Sequence, residues 1–263
     1  QLLSVDQSNI VCGATLVSST HGVTLASCFR SLTVALSVSV GGLTSTPRRQ
    51  VTQVWLHPSY TTTSSDSLTV VDLAVFTFSP AASVSGRPLV ASGTSLLELA
   101  ETGVVAGFGN TVSSINGSSV PHWKNNALPM VAELGLKNAT HCRSVAAGAG
   151  TDLNPNFSCT GGSGADVCAG DEGAGLIVAG KLAGVFLGMH VPPFVKGVQP
   201  PCGADGQVAL MADFSLCVSC QNLVFGAITG NTSLAGTTPV NVGSPTVPPA
   251  SPYLFPFSAV FGI

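Results

Sequence analysis

The residues of this 263-residue chain that could do chemistry are few. Eight cysteines stand at Cys12, Cys28, Cys142, Cys159, Cys168, Cys202, Cys217 and Cys220. An even count suits a disulfide framework, although spacing alone does not choose among the many pairings. Four N-x-[ST] sequons, at Asn116, Asn138, Asn156 and Asn231, accompany them. Together the two features point to a secreted glycoprotein carrying N-linked glycans. Cys217-Val-Ser-Cys220 has the spacing of a metal-ligand pair. No second such pair or neighbouring histidine pair completes a tetrahedral site in the sequence, so no metal and no cofactor are expected. His21, His57, His122, His141 and His190 are the side chains whose ordinary pKa lies nearest neutrality. Nucleophilic catalysis would need one of them between a nucleophile and an orienting acid.

The rest of the chain must position these groups. Charged residues make up only 8%, against roughly 25% in an ordinary soluble domain. Nine Lys+Arg against twelve Asp+Glu give a net charge of -3, which offers no basic patch for a phosphate backbone and excludes nucleic acid as a partner. No apolar run is long enough to span a bilayer. No cleavable leader is visible at Gln1, so the chain reads as already processed. The pattern is nearly all β. Val34, Leu36, Val38 and Val40 alternate with small or polar residues, and short apolar runs recur at 53–56, 73–78, 103–107, 175–178 and 182–187. Gly, Ser, Asn and Pro clusters separate them, which predicts a sandwich or barrel. One helix is expected over 212–224, with Asp213 or Ser215 as its N-cap. Beyond Asp213 no residue is charged, and prolines from Pro239 to Pro256 read as an extended tether to an apolar end, Tyr253–Ile263. Such an end is expected to dock, on its own body or on a neighbour. The chain therefore divides into a domain over 1–225 and a tail over 226–263.

Four stretches, in order, resemble the trypsin/chymotrypsin-like serine proteases. Cys12-Gly-Ala-Thr-Leu-Val-Ser followed by Val23-Thr-Leu-Ala-Ser-Cys28 is similar to the segment that carries the family's catalytic histidine. His57-Pro-Ser-Tyr60 leading to Asp72-Leu-Ala-Val is similar to the segment of the catalytic aspartate. Val105-Ala-Gly-Phe-Gly-Asn-Thr111 resembles a glycine-rich strand between them, and Asp166-Val-Cys-Ala-Gly-Asp-Glu-Gly-Ala-Gly175 the nucleophile loop. The resemblance implies two packed six-stranded antiparallel β-barrels with a C-terminal helix. It also implies the pairs Cys12–Cys28, Cys142–Cys159 and Cys168–Cys202. Cys217 and Cys220 then remain as a local bridge, as two thiols, or as a link to a partner chain.

At the positions that the resemblance makes catalytic, this sequence departs from the family. The histidine position carries Ser27, the aspartate position keeps Asp72, and the nucleophile position carries Glu172. A serine hydroxyl cannot accept a proton near neutrality, and a carboxylate is a poor acyl acceptor. What binding and oxyanion stabilisation alone would leave is roughly 10³–10⁴-fold over water. The resemblance places the oxyanion hole at the amides of Gly170 and Glu172, where a glutamate side chain is positioned to fold back and fill it. It places Asp166 at the base of the specificity pocket, where a carboxylate would receive Arg or Lys. The pocket wall differs, with Leu187-Gly-Met189, and His190–Pro201 reads as an insertion. In the family a freed N-terminal ammonium pairs with the residue that is Asp171 here. Only eleven residues precede Cys12, so the expectation is that this segment has been removed or that Asp171 has another partner, such as solvent or a lysine. His57 is expected to be a loop residue, and a two-carboxylate glycosidase built on Asp72 and Glu172 has no further support.

The expectation is therefore a secreted, non-catalytic protease homologue that acts by protein-protein binding. One form is a component of an extracellular assembly, joined to copies of itself through the tail. The low charge supports it, because surface buried against neighbours needs few charges. A second form is an inhibitor of a target enzyme, similar to the glucanase inhibitor proteins of plant-pathogenic oomycetes. A third is a residual hydrolase with relocated catalytic residues.

Overall fold

The computed structural model describes residues 2–4, 10–29, 36–40, 48–61, 70–109, 129–148, 152–161, 167–168, 170–190 and 208–242. The N-terminal half contributes strands β1 (Leu2–Ser4), β2 (Ile10–Cys12), β3 (Thr15–Leu16), β4 (His21–Thr24), β5 (Leu36–Val38), β6 (Arg49–Leu56) and β7 (Ala74–Ser79). They lie side by side in the order β2-β1-β5-β6-β7-β4-β3. After a short helix α1 (Leu96–Leu99) come β8 (Thr102–Gly107) and β9 (Met130–Lys137), then helix α2 (Ala139–Gly148). β10 (Phe157–Thr160), β11 (Gly175–Val178), β12 (Lys181–His190) and β13 (Val208–Asp213) follow. These six strands close into an antiparallel barrel, β10-β13-β12-β11-β8-β9. Two helices, α3 (Val218–Thr229) and α4 (Thr232–Ala235), and a last short strand, β14 (Val240–Asn241), end the described chain.

The alternation that predicted strands is kept wherever one face is buried. In β6, Val51 and Val54 both point inward although three residues apart. A bulge opposite β7 between Val51 and Gln53 absorbs the extra residue and restores the register. β13 is buried on both faces. Met211 faces the main core, while Val208 and Leu210 pack with the Cys142–Cys159 bridge that ties α2 to β10. A strand enclosed on two sides has no polar alternation to read.

Three expectations need correction. The two barrels differ: the N-terminal strands form an eight-stranded sheet, because β14 returns from the C-terminal end to pair with β6. The helix begins later than residue 212. β13 runs through Asp213, whose carboxylate accepts from the N–H and hydroxyl of Ser215 at 2.7 and 2.6 Å, and this turn precedes the helix. The N-cap is Cys217, whose Sγ accepts from the Cys220 N–H. The packed body also continues to Val242, whose N–H donates to Thr52, so a boundary after residue 225 falls inside α3. α2 was not expected at all. Its signals were Asn138, whose Oδ1 accepts from the His141 N–H as an N-cap does, and the i,i+4 pair Cys142 and Ala146, both buried.

α3 joins the two halves. Gln221 Nε2 donates to the carbonyls of Val90 and Phe214, while the Ala227 backbone bonds the imidazole of His21 on β4. Among the described residues no helix is long and apolar enough to cross a membrane.

Candidate functional site

Ser27 sits on a 3-10 turn, Ala26–Phe29, anchored by the buried side chains of Ala26, Cys28 and Phe29. Its N–H donates to Asp72 Oδ1 at 2.7 Å. Asp72 is buried just ahead of β7, so Ser27 and Asp72 are brought together as the resemblance implies. The contact shown is through the Ser27 backbone, which a serine or a histidine would offer equally.

The opposite half of the site is the turn Gly170–Gly173. Gly170 N–H donates to Glu172 Oε2 at 2.7 Å, and the Glu172 N–H also bonds its own carboxylate. The glutamate side chain therefore folds back onto the two amides that the resemblance assigns to the oxyanion hole. Burial pushes the Glu172 carboxyl up, the two N–H bonds oppose this, and the charge of Asp171 adds to the push. Two donors aimed at one point suit a developing oxyanion; here a resident carboxylate takes them.

Among the described residues, the partners of Asp171 are backbone amides. Its Oδ1 accepts from Gly109 N–H at 2.7 Å and its Oδ2 from Cys168 N–H at 3.1 Å, with Phe108 supplying a further backbone bond. Burial pushes its carboxyl up while these donors pull it down. Close approach is allowed by glycine. A Cβ on Gly107 would lie 1.8 Å from Asp171 Oδ1, so the Gly-Phe-Gly run is shaped to the aspartate.

The two halves are tied through Gly13, Thr15 and Thr24, members of the first motif for which no such role was expected. Gly13 N–H donates to the Glu172 carbonyl at 2.7 Å. Thr24 Oγ1 donates to the Gly13 carbonyl at 2.7 Å, and the Cys12–Cys28 bridge links this segment to the Ser27 turn. Thr15 Oγ1 accepts from Gly175 N–H at 3.0 Å. The signal in the sequence was the small residue beside Cys12, which allows this approach.

The side chains of His57, His21 and His141 lie elsewhere. His57, buried between β6 and β7, presents Nε2 to Ser219 Oγ at 3.0 Å, and its Nδ1 accepts from Ser59 N–H at 3.2 Å. Burial pushes it down to about 4, so the ring is neutral. His21 Nδ1 bonds Ser18 and Thr20, and burial lowers its pKa. His141 is exposed on α2. Cys12–Cys28, Cys142–Cys159 and Cys217–Cys220 are bridged. Cys168 is also in a disulfide, while Cys202, its expected partner, lies outside the described residues, as do Asp166, Asn116 and His122. Asn138 and Asn231 are exposed, and Asn231 Oδ1 caps α4 through the Leu234 N–H. Asn156 is half-buried, and Ser158 of its sequon is buried against Asp213.

A closed antiparallel barrel and a second antiparallel sheet, clamped together at a glycine-rich turn, define the architecture of a chymotrypsin-like protease. The family model described as Trypsin matches residues 2–191, and the chain belongs to that family. Among solved structures, the chain is similar to neuropsin, described as a serine protease expressed in the limbic system of mouse brain. The TM-score is 0.66 at 19% identity, over 87% of this chain and 93% of that one, a likeness of fold. Among curated proteins none matches.

Proposed function

We propose that this member of the trypsin family is non-catalytic and secreted, and works by binding other proteins as a component of an extracellular assembly. The observation that carries the reading is the Glu172 carboxylate on the Gly170 N–H and on its own. It stands where an acyl-transfer nucleophile would be, and it fills the space the oxyanion would need. Ser27, at the histidine position, supplies no base.

Two tests follow from this. The protein should turn over neither peptide esters nor amides with Arg or Lys at the cleavage site, and a sulfonyl fluoride should label no residue at 172. Glu172→Ser alone should remain silent, because no base activates the new hydroxyl. The double variant Ser27→His with Glu172→Ser should gain labelling. Turnover by the unaltered protein that a sulfonyl fluoride abolishes would sink the reading.

The assembly form is supported by the absence of charge from Phe214 to Ile263 and by exposed apolar side chains on α3, Val218, Phe225 and Ile228. The apolar end Tyr253–Ile263 is the proposed contact between copies. Light scattering should give a mass above the monomer that rises with concentration, and removal of residues 253–263 should return it to the monomer. An unchanged mass after truncation excludes the tail. A monomer at every concentration moves the weight to an inhibitor.

A further inference from the structure

We propose that Cys217, Cys220 and His57 form a redox-gated zinc site: a disulfide when oxidised, and a ligand set of two thiolates and one imidazole when reduced. The inference does not depend on the function proposed above. In the sequence the Cys-x-x-Cys pair lacked a third ligand, and the fold supplies it from 160 residues away by packing His57 beside the start of α3. A ring nitrogen of His57 and the sulfurs of Cys217 and Cys220 all lie within 4.8 Å of one another; Nε2 is the nitrogen turned to Ser219 between the cysteines.

The geometry matches what zinc needs. Tetrahedral zinc with bonds of about 2.3 Å to sulfur and about 2.0 Å to nitrogen separates its ligand atoms by roughly 3.5–3.8 Å. Opening the bridge lets the sulfurs part to that spacing, and the histidine is already in range. Cys217 caps a twelve-residue helix and Cys220 lies in its first turn, where the Cys220 N–H already donates to Cys217 Sγ at 3.2 Å and would support a thiolate. Ser219 Oγ lies 3.4 Å from Cys217 Sγ and 3.0 Å from His57 Nε2. Its side chain is exposed, so it covers the cluster on the solvent side, where a fourth ligand would enter.

Charge selects the ion. The cysteines and His57 are buried, and no residue from Phe214 onward is charged. Two thiolates with a divalent cation sum to zero, whereas a monovalent ion would leave an uncompensated negative charge in low dielectric. The chemistry balances with a dithiol as reductant. The dithiol gives up two electrons and closes to its own disulfide as Cys217 and Cys220 become thiols; Zn²⁺ then displaces two protons from them. At His57 the ring proton moves from Nε2 to Nδ1 as Nε2 takes the metal, and the Ser59 N–H contact is released.

The test begins with graded dithiothreitol on the whole chain, the opened cysteines being identified by alkylation and mass spectrometry. Cys217–Cys220 should open while Cys12–Cys28 and Cys142–Cys159 remain closed. The reduced protein is then titrated anaerobically with Co²⁺. One equivalent should produce a thiolate-to-cobalt charge-transfer band that Zn²⁺ removes, and bound Zn²⁺ should protect both cysteines from alkylation. The oxidised protein and Cys220→Ser should give no band. His57→Gln should bind at least about tenfold more weakly, since even outer-shell changes cost that much. Ser219→Ala should retain the band. Should His57→Gln not fold, the ¹⁵N shifts of His57 in the unaltered protein decide, because zinc must move the ring to the Nδ1–H tautomer. The proposal is overturned by any of three results: a bridge that opens only with the others, no band in the reduced protein, or a His57 ring and affinity indifferent to the metal.

Discussion

Acidification from pH 7 to pH 4 should cost the protein roughly 2–3 kcal/mol through His57 alone. Burial holds this imidazole at about 4, against 6.5 for a free histidine. Between those values the unfolded chain binds a proton that the folded chain does not. Stability from this group is therefore full above pH 6.5 and is lost as the pH falls toward 4. The buried carboxylates act in the opposite direction. Asp171, Glu172 and Asp213 all have raised pKa values from burial. For them stability falls as the pH rises through the window above the ordinary carboxylate value. His21, also lowered by burial, has the same sign as His57. The quantity to measure is thus a difference: urea unfolding of the unaltered protein and of His57→Gln across pH 4 to 7. The variant's acid-side fall should be smaller than that of the unaltered protein by the His57 share, roughly 2–3 kcal/mol, with the His21 share kept. Parallel curves would mean that the ring titrates alike in the folded and unfolded chains, and that burial does not hold it neutral.

Gly173→Ala should be the more damaging change, at roughly 3–5 kcal/mol. Gly173 has φ +86°, where an L side chain is strained, and an added Cβ would lie 2.4 Å from both the Gly13 carbonyl oxygen and Thr24 Oγ1. Those atoms form the clamp that joins the N-terminal sheet to the Glu172 turn. Relief requires the Thr24–Gly13 bond, the Gly13–Glu172 bond, or both to break, at about 1 kcal/mol each beyond the backbone strain. Gly180→Ala isolates the strain, since Gly180 has φ +78° and nothing within 4 Å of its added Cβ. That control should lose only about 1–2 kcal/mol. If thermal or urea unfolding gives equal losses for the two variants, the clamp contributes nothing.

Several parts of the architecture were legible before any coordinates. The strands around residues 53–56, 73–78, 103–107 and 175–178 appear where a period of two or a short apolar run placed them. The Cys12–Cys28 and Cys142–Cys159 bridges match the pairs that the family resemblance implied. Other features were hidden for physical reasons. β13 is enclosed on both faces and so carries no alternation, which let its end be read as helix. α2 is short and weakly amphipathic, and its cap, Asn138, presented itself first as a glycosylation sequon. β14 is two residues long and is a strand only because β6 offers it an edge.

The candidate site divides along the same line. Which residues occupy the positions of a serine protease triad is a matter of order along the chain. The assignment of Ser27, Asp72 and Glu172 to those positions rests on the family resemblance of the motifs that hold them. Where a side chain goes after that is decided by packing. Glu172 folds back because two N–H groups of its own turn await a carboxylate, and Asp171 turns to backbone amides because Gly107 and Gly109 let it approach. In the neighbourhood of His57, Ser219 and the Cys217–Cys220 pair only the cysteine spacing was visible locally, and nothing announced His57 beside it. These residues are joined only when α3 packs against the N-terminal sheet, because contacts across more than a hundred residues are written in shape and burial and not in spacing.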